Sequence, residues 1–292
     1  MALLELKEIS KIYGFGDATT IALDEVDLSV DKGEFVAVMG PSGSGKSSLM
    51  NMIGLLDRPT HGTYQLGGRS VARLRPNQRA KVRRDRVGFV FQSFNLLPKI
   101  TALENVALPL MYKGVGTTRR LKHASAILGQ VGLADKEYFF PKQLSGGQMQ
   151  RVAIARALVN NPDIIIAGEP TGNLDSESSR LVMELLGEIH ALGHTILLVT
   201  HNPELTRYVT RVVYMHDGQI VYDEQTAIGE VPKLARRASL LLQRRTAEDD
   251  YAGVSALMGI DNEKPKKTKR TKRRTARRKP VRAHKQARKI KR

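Results

Sequence analysis

Cysteine and tryptophan are absent from these 292 residues, and aromatic side chains make up only 5%. Without cysteine there can be no disulfide and no thiolate metal site, which is compatible with a reducing compartment. No run of about 18 or more apolar residues occurs, so no segment reads as a membrane-spanning helix. The start, Met-Ala-Leu-Leu-Glu, brings an acid at once and no basic n-region, so a signal peptide is not expected. Internal repeats are also lacking. Negative charge is missing from the C-terminal end: Lys264 to Arg292 holds 17 Lys/Arg and no Asp or Glu. That leaves 30 basic against 29 acidic residues in 1–263, a net +1. The overall charge of +18 therefore belongs to a tail and not to the body.

Apolar residues reach 41%, ordinary for a globular chain, and the length allows one large domain or two small ones. Leu3–Tyr13 and Thr20–Val30 read as strands joined by the Gly-rich turn 14–17. Glu34–Met39 is a short apolar run that leads through a Gly-rich loop into a helical pattern over Lys46–Leu56. The stretch 76–142, rich in Lys, Arg, Gln and Ala, reads as mostly helical. Ile164–Ala167 and Thr195–Thr200 are β-branched runs between helices, as expected for buried parallel strands. Val212–Asp223 reads as a hairpin around Asp217-Gly218. Residues 228–260 read as an amphipathic helical extension, and the chain from 261 has too few apolar side chains to fold.

Two segments carry the chemistry. Gly40-Pro41-Ser42-Gly43-Ser44-Gly45-Lys46-Ser47 fits G-x-x-x-x-G-K-[ST] in full, after a strand and before a helix. Its glycines let backbone N–H groups curl around phosphate oxygens at a helix N-terminus. Lys46 reaches the β- and γ-phosphates and the Ser47 hydroxyl holds Mg²⁺, so ATP with Mg²⁺ is the expected cofactor. The second segment, Leu144-Ser145-Gly146-Gly147-Gln148-Met149-Gln150, offers a hydroxyl and a helix N-terminus suited to another phosphate. Alone, it is equally an ordinary turn before a capped helix.

GPSGSGKSS at 40–48, LSGGQMQR at 144–151, EPTGNLDS at 169–176 and Thr200-His201 follow the order found in an ABC-transporter ATPase subunit, which residues 2–225 resemble. MIGLLDRPTHGTY (52–64) and FQSFNLLPKITALENVALPL (91–110) resemble the lipoprotein-release and macrolide-export branch, the LolD/MacB type, with FtsE-like relatives. The resemblance implies an α/β, P-loop NTPase fold: a RecA-like core, an N-terminal antiparallel β-subdomain and a helical subdomain over about 93–160. One nucleotide-binding domain over 1–227 is expected. By the same resemblance Tyr13 stacks on adenine, and Gly40 to Ser48 (Ser42, Ser44 and Ser48 included) bind the phosphates. Gln92 touches both Mg²⁺ and the transport partner. Glu169 polarises the attacking water and His201 contacts the γ-phosphate. Ser145, Gly146, Gly147, Gln148 and Asp175 act on the nucleotide of a second copy, so a homodimer closed by ATP is expected.

One position departs from the family pattern. Gly168 stands where an aspartate helps hold Mg²⁺. Asp163 lies five residues earlier on the same strand, roughly 16 Å away, and cannot substitute. Hydrolysis weakened by this loss is one expectation, and an ATP-binding switch is the alternative. With no membrane span, the work is expected to pass to an integral-membrane permease on the cytoplasmic side, through exposed Phe94, Leu96 and Leu97. The basic tail at 264–292 suits anionic lipid, or nucleic acid if the chain is a soluble ATPase acting on nucleic acid or ribosomes. It has no aromatic to stack on bases, which favours lipid.

Overall fold

A computed structural model of the chain describes residues 2–14 and 18–230. Residues 15–17 of the expected turn, the expected extension beyond 230 and the basic tail lie outside these residues. Strands β1 (Ala2–Tyr13) and β2 (Thr20–Asp31) pair antiparallel, and β1 also pairs with β4 (His61–Leu66), which pairs with the short β5 (Arg69–Ser70). The second sheet holds β3 (Phe35–Met39), β6 (Val87–Phe91), β7 (Ile164–Gly168), β8 (Thr195–Val199), β9 (Arg211–His216) and β10 (Gln219–Gln225). Its order is β10-β9-β3-β8-β7-β6, parallel except for the β9–β10 hairpin. That hairpin turns on Asp217 and Gly218, both at positive φ, as the Asp-Gly pair dictates.

Near-continuous apolar runs make both faces of this sheet bury. Phe35, Ala37 and Met39 point to one face, with Ile165, Ile196 and Leu198, and pack under helices. These are α3 (Ala102–Tyr112), α4 (Thr117–Gln130), α5 (Gly146–Leu158) and α6 (Ser176–Ala191). Val36 and Val38 point the other way, with Ile166, Leu197 and Val213, toward α1 (Lys46–Ile53) and the antiparallel sheet. Tyr64, fully buried, joins those two: its hydroxyl donates to the Ile53 carbonyl at 2.8 Å. Burial raises the pKa of that phenol.

Two differences from the sequence reading stand out. Helix is not continuous through 76–142, because α2 (Pro76–Arg86) runs directly into strand β6. Val87 and Val90 there are β-branched and buried, and tertiary burial outweighs the basic, helix-favouring surroundings. Helix α1 also stops at Ile53 instead of Leu56, since the Gly54 N–H closes the last turn on Met50 O. Helix α5 lies hard against β6: a Cβ at Gly88 would sit 2.6 Å from the Ala157 carbonyl oxygen.

Candidate nucleotide site

Four loops leave the carboxyl ends of the adjacent parallel strands β3, β8, β7 and β6. They carry the Gly40–Lys46 loop, His201, Glu169 and Gln92 respectively. Ligands of open α/β sheets bind outside this edge. In the first loop Gly40, Gly43 and Gly45 all have positive φ, at 148°, 80° and 95°. A Cβ at Gly45 would lie 2.5 Å from the Ala22 carbonyl oxygen, so no other residue fits there. Lys46 Nζ donates to Gly40 O at 2.9 Å and to Pro41 O at 2.6 Å, which keeps the ammonium inside the loop. Burial lowers its pKa, and the Glu169 carboxylate opposes that shift. Ser42 and Ser47 are exposed, Ser44 is buried, and Ser48 hydrogen-bonds the Tyr13 hydroxyl.

Tyr13 ends β1, is 41% exposed as a residue, and its hydroxyl donates to Asp57 Oδ2 at 2.9 Å. Lys11 pairs with the same carboxylate at 2.8 Å and lies 4.8 Å from the Tyr13 ring centroid. An exposed ring pinned by its hydroxyl suits stacking on a purine. Lys11 and Asp57 were not singled out from the sequence: their only sequence signal is alternation with Tyr13 on β1 and the LLD turn after α1.

Glu169 follows β7 with φ at +49°, an uncommon conformation for this residue. Its N–H donates to Val199 O at 2.8 Å, and its Oε1 lies 2.8 Å from His201 Nδ1. Gln92 is exposed after β6; its amide nitrogen donates to Asn173 Oδ1, and Asn173 Nδ2 donates to the Gln92 carbonyl, both at 3.3 Å. Asp163 sits at the opposite end of β7, paired with Arg86 at 2.9 Å.

Ser145 caps α5: its hydroxyl accepts from the Gln148 N–H at 3.2 Å, and Gln148 Oε1 accepts from the Ser145 N–H at 2.9 Å. Gly146 and Gly147 pack beside Leu174 and Ser178, while Asp175 caps α6 by accepting from the Ser178 N–H. That backbone bond holds the Asp175 carboxyl below its usual pKa. These residues form a second cluster beside the loops after β6 and β7, where Gly146 lies near Phe94, Asn173 and Leu174, whereas the phosphate loop follows β3. Three strand spacings, about 14 Å, separate β3 from β6.

The ABC transporter family model matches residues 23–172. The chain belongs to the ABC transporter family. This ATP-binding cassette is 51% identical over 219 residues to the uncharacterized ABC transporter ATP-binding protein MJ1508 of Methanocaldococcus jannaschii, covering 75% of this chain and 98% of that one. It is 47% identical over 234 residues to the macrolide export ATP-binding/permease protein MacB of Hyphomonas neptunium, covering 79% of this chain. The cassette spans only 36% of that relative's length. Among solved structures it resembles the cassette MJ0796, seen as a dimer in a post-hydrolysis state bound to ADP and Pi, with a TM-score of 0.70 and 44% identity over 76% of this chain and 98% of that one.

The donors of the cassette fit MgATP in a reduced form. The glycine loop and Lys46 could cradle phosphates, and Ser47 and Gln92 carry oxygen atoms of the hard type Mg²⁺ takes. The strand end at Gly168 adds no carboxylate. Among the described residues, no group of three or more His, Cys, Asp or Glu could hold a metal ion.

Proposed function

We propose that two copies of the cassette close on ATP, hydrolyse it and drive a separate membrane permease of the LolD/MacB type. The single observation that carries this reading is the Glu169–His201 pair, 2.8 Å apart, beside the strand end that faces the phosphate loop. Glu169 takes the proton of the attacking water, and His201 steadies that carboxylate and faces the γ-phosphate. Lys46 and the loop N–H groups hold the phosphates, and Ser47 and Gln92 would hold Mg²⁺, which would supply positive charge near the phosphates when bound. Ser145, Gly146, Gly147, Gln148 and Asp175 act on the partner copy's nucleotide. Their grouping beside the loops after β6 and β7, apart from the loop after β3, supports use in trans, as does the dimeric form of MJ0796.

The permease contact calls for a correction. Phe94 and Leu96 are half-buried, with Leu96 packed against the helical core, and Leu97 alone of the three is exposed. Buried Asn105 pins that loop, with its amide nitrogen 3.1 Å from Leu97 O and its Oδ1 accepting from Leu97 N–H at 2.8 Å. A cleft of about 800 Å³ opens next to it, walled by Leu56, Leu108, Pro109 and Tyr112. Lys81, Arg83, Arg84 and Arg156 rim it. An amphipathic permease helix with acidic side chains fits this cleft, with the cassette on the cytoplasmic face of the membrane. Among the described residues no helix is long and apolar enough to cross a membrane. The tail at 264–292 adds an electrostatic hold on anionic lipid, at about 1 kcal/mol per basic residue near the surface. Deleting it should weaken binding to anionic vesicles in low salt.

Phosphate release by the purified chain tests the enzymatic core. Glu169→Gln should lower it by about 10²-fold or more. Release unchanged by that substitution would overturn the assignment.

A further inference from the structure

The end of strand β1 is stitched to the loop that follows α1. The Thr60 N–H donates to Ser10 O at 2.8 Å, and the Ile12 N–H donates to Thr60 Oγ1 at 3.1 Å. Asp57 of that loop gathers the side chains. Its Oδ1 accepts from the Arg58 N–H at 2.7 Å and from Lys11 Nζ at 2.8 Å, and its Oδ2 accepts from the Tyr13 hydroxyl at 2.9 Å. Lys11, largely buried, also donates to Arg58 O at 3.1 Å and sets its ammonium over one face of the Tyr13 ring. The Tyr13 hydroxyl meets Ser48 as well, one residue beyond Ser47 in the first turn of α1. Since the phenol's one proton goes to Asp57, Ser48 is the donor in that bond. A single hydroxyl thus links the strand end, the loop and the helix that begins at Lys46.

We propose that Lys11 and Asp57 are positioning residues for the base of the nucleotide, acting through Tyr13: they fix its ring so that a single open face receives the purine. This rests on the ATP-binding reading above, with Tyr13 as the stacking residue. A tyrosine at a strand end turns about two side-chain torsions, and ordering it on binding would consume part of what stacking contributes. Asp57 removes that freedom by holding the hydroxyl, while the stitched loop holds Asp57. Lys11 does a different job. Its ammonium takes one face of the ring through the attraction of a cation for a π-system, which leaves the base one way to stack. The two side chains form an ion pair with no net charge, so their direct pull on the triphosphate is small beside that of Lys46. Their effect is therefore confined to the base.

The test compares ATP with inorganic tripolyphosphate, which keeps the phosphates and lacks the base, by calorimetry on the full chain. Asp57→Ala should weaken ATP binding about tenfold and tripolyphosphate binding by no more than about twofold. Asp57→Asn should recover most of that loss, because its amide oxygen still accepts from the phenol. Lys11→Met, which leaves the phenol on Asp57, should weaken ATP about threefold. Unchanged ATP affinity in Asp57→Ala or Lys11→Met would overturn the proposal. So would an equal loss for both ligands, which marks a merely structural role. In a Tyr13→Ala background Asp57→Ala should change ATP affinity by less than about twofold, and a further tenfold loss there would also overturn it. Failure of the underlying reading looks different: the wild-type chain would bind no ATP, or Tyr13→Ala would bind it as tightly as the wild type.

Discussion

Replacing Arg156 by Leu should loosen the loop after β6 while leaving the rest of the cassette folded. Arg156 lies near the end of α5, and its Nη2 donates to the Phe94 carbonyl at 2.8 Å and its Nη1 to the Asn95 carbonyl at 2.5 Å. Phe94 and Asn95 both hold positive φ, at 60° and 51°, which costs roughly 1–2 kcal/mol per residue. The guanidinium is the clamp on this strained pair. Burial lowers its pKa, so part of what the two bonds contribute is spent keeping a charge away from water. Two charge-assisted bonds of about 1.5–3 kcal/mol each, less that desolvation and the solvation the exposed Asn95 carbonyl regains, leave a net loss of about 1–2 kcal/mol. For a domain of this size that lowers Tm by roughly 2–8 °C. Hydrogen exchange should speed up over 92–97 and little elsewhere. Arg156→Lys should recover only part of the protection, since an ammonium lacks the fork that spans both carbonyls. Wild-type exchange over 92–97 in the Leu variant would refute the clamp.

The other predictions are more local. Ser145→Arg should abolish ATP-dependent dimerisation on a sizing column while the monomer stays folded, losing about 1 kcal/mol with its helix cap; a variant that still dimerises refutes the trans assignment. Tyr64→Phe leaves the Ile53 carbonyl without its buried donor and should cost about 1–2 kcal/mol, read by urea titration, with an unchanged midpoint against it. His194 has its pKa lowered by burial, so the folded state resists protonation. Its contribution is whole above pH about 6.5 and declines as the solution is acidified below that, so His194→Gln should flatten the fall of Tm between neutral and mildly acidic pH.

Much of this architecture is legible in the sequence because its signals are local. Burial of β3, β7 and β8 writes itself as short, nearly unbroken apolar runs, and Asp217-Gly218 announces its hairpin. The phosphate loop and LSGGQ are read from consecutive residues. What escapes is set by contacts between distant segments. Strand β6 hides inside a basic, helix-favouring stretch, because only its neighbour β7 makes Val87 and Val90 worth burying. Leu96 has an exposed-looking context, yet Asn105 draws its loop inward. The missing acid at Gly168 is visible in the sequence, whereas Met50, whose Sδ a Cβ there would meet at 2.7 Å, is 118 positions away and reads as an ordinary helix residue.

The packing of Gly88 against Ala157 gives α5 a fulcrum. The helix is 13 residues long, about 20 Å, with its clamped end beside the basic cleft and its capped end at Ser145, next to Leu174 and Ser178. A tilt of only about 10° about the clamped end carries Ser145 through roughly 3 Å, more than the whole tolerance of a hydrogen bond. Small changes at one end are therefore amplified into making or losing contact at the other, and the lever's gain is set by helix length. Inserting one turn into α5 would lengthen the arm by about 5 Å and overshoot.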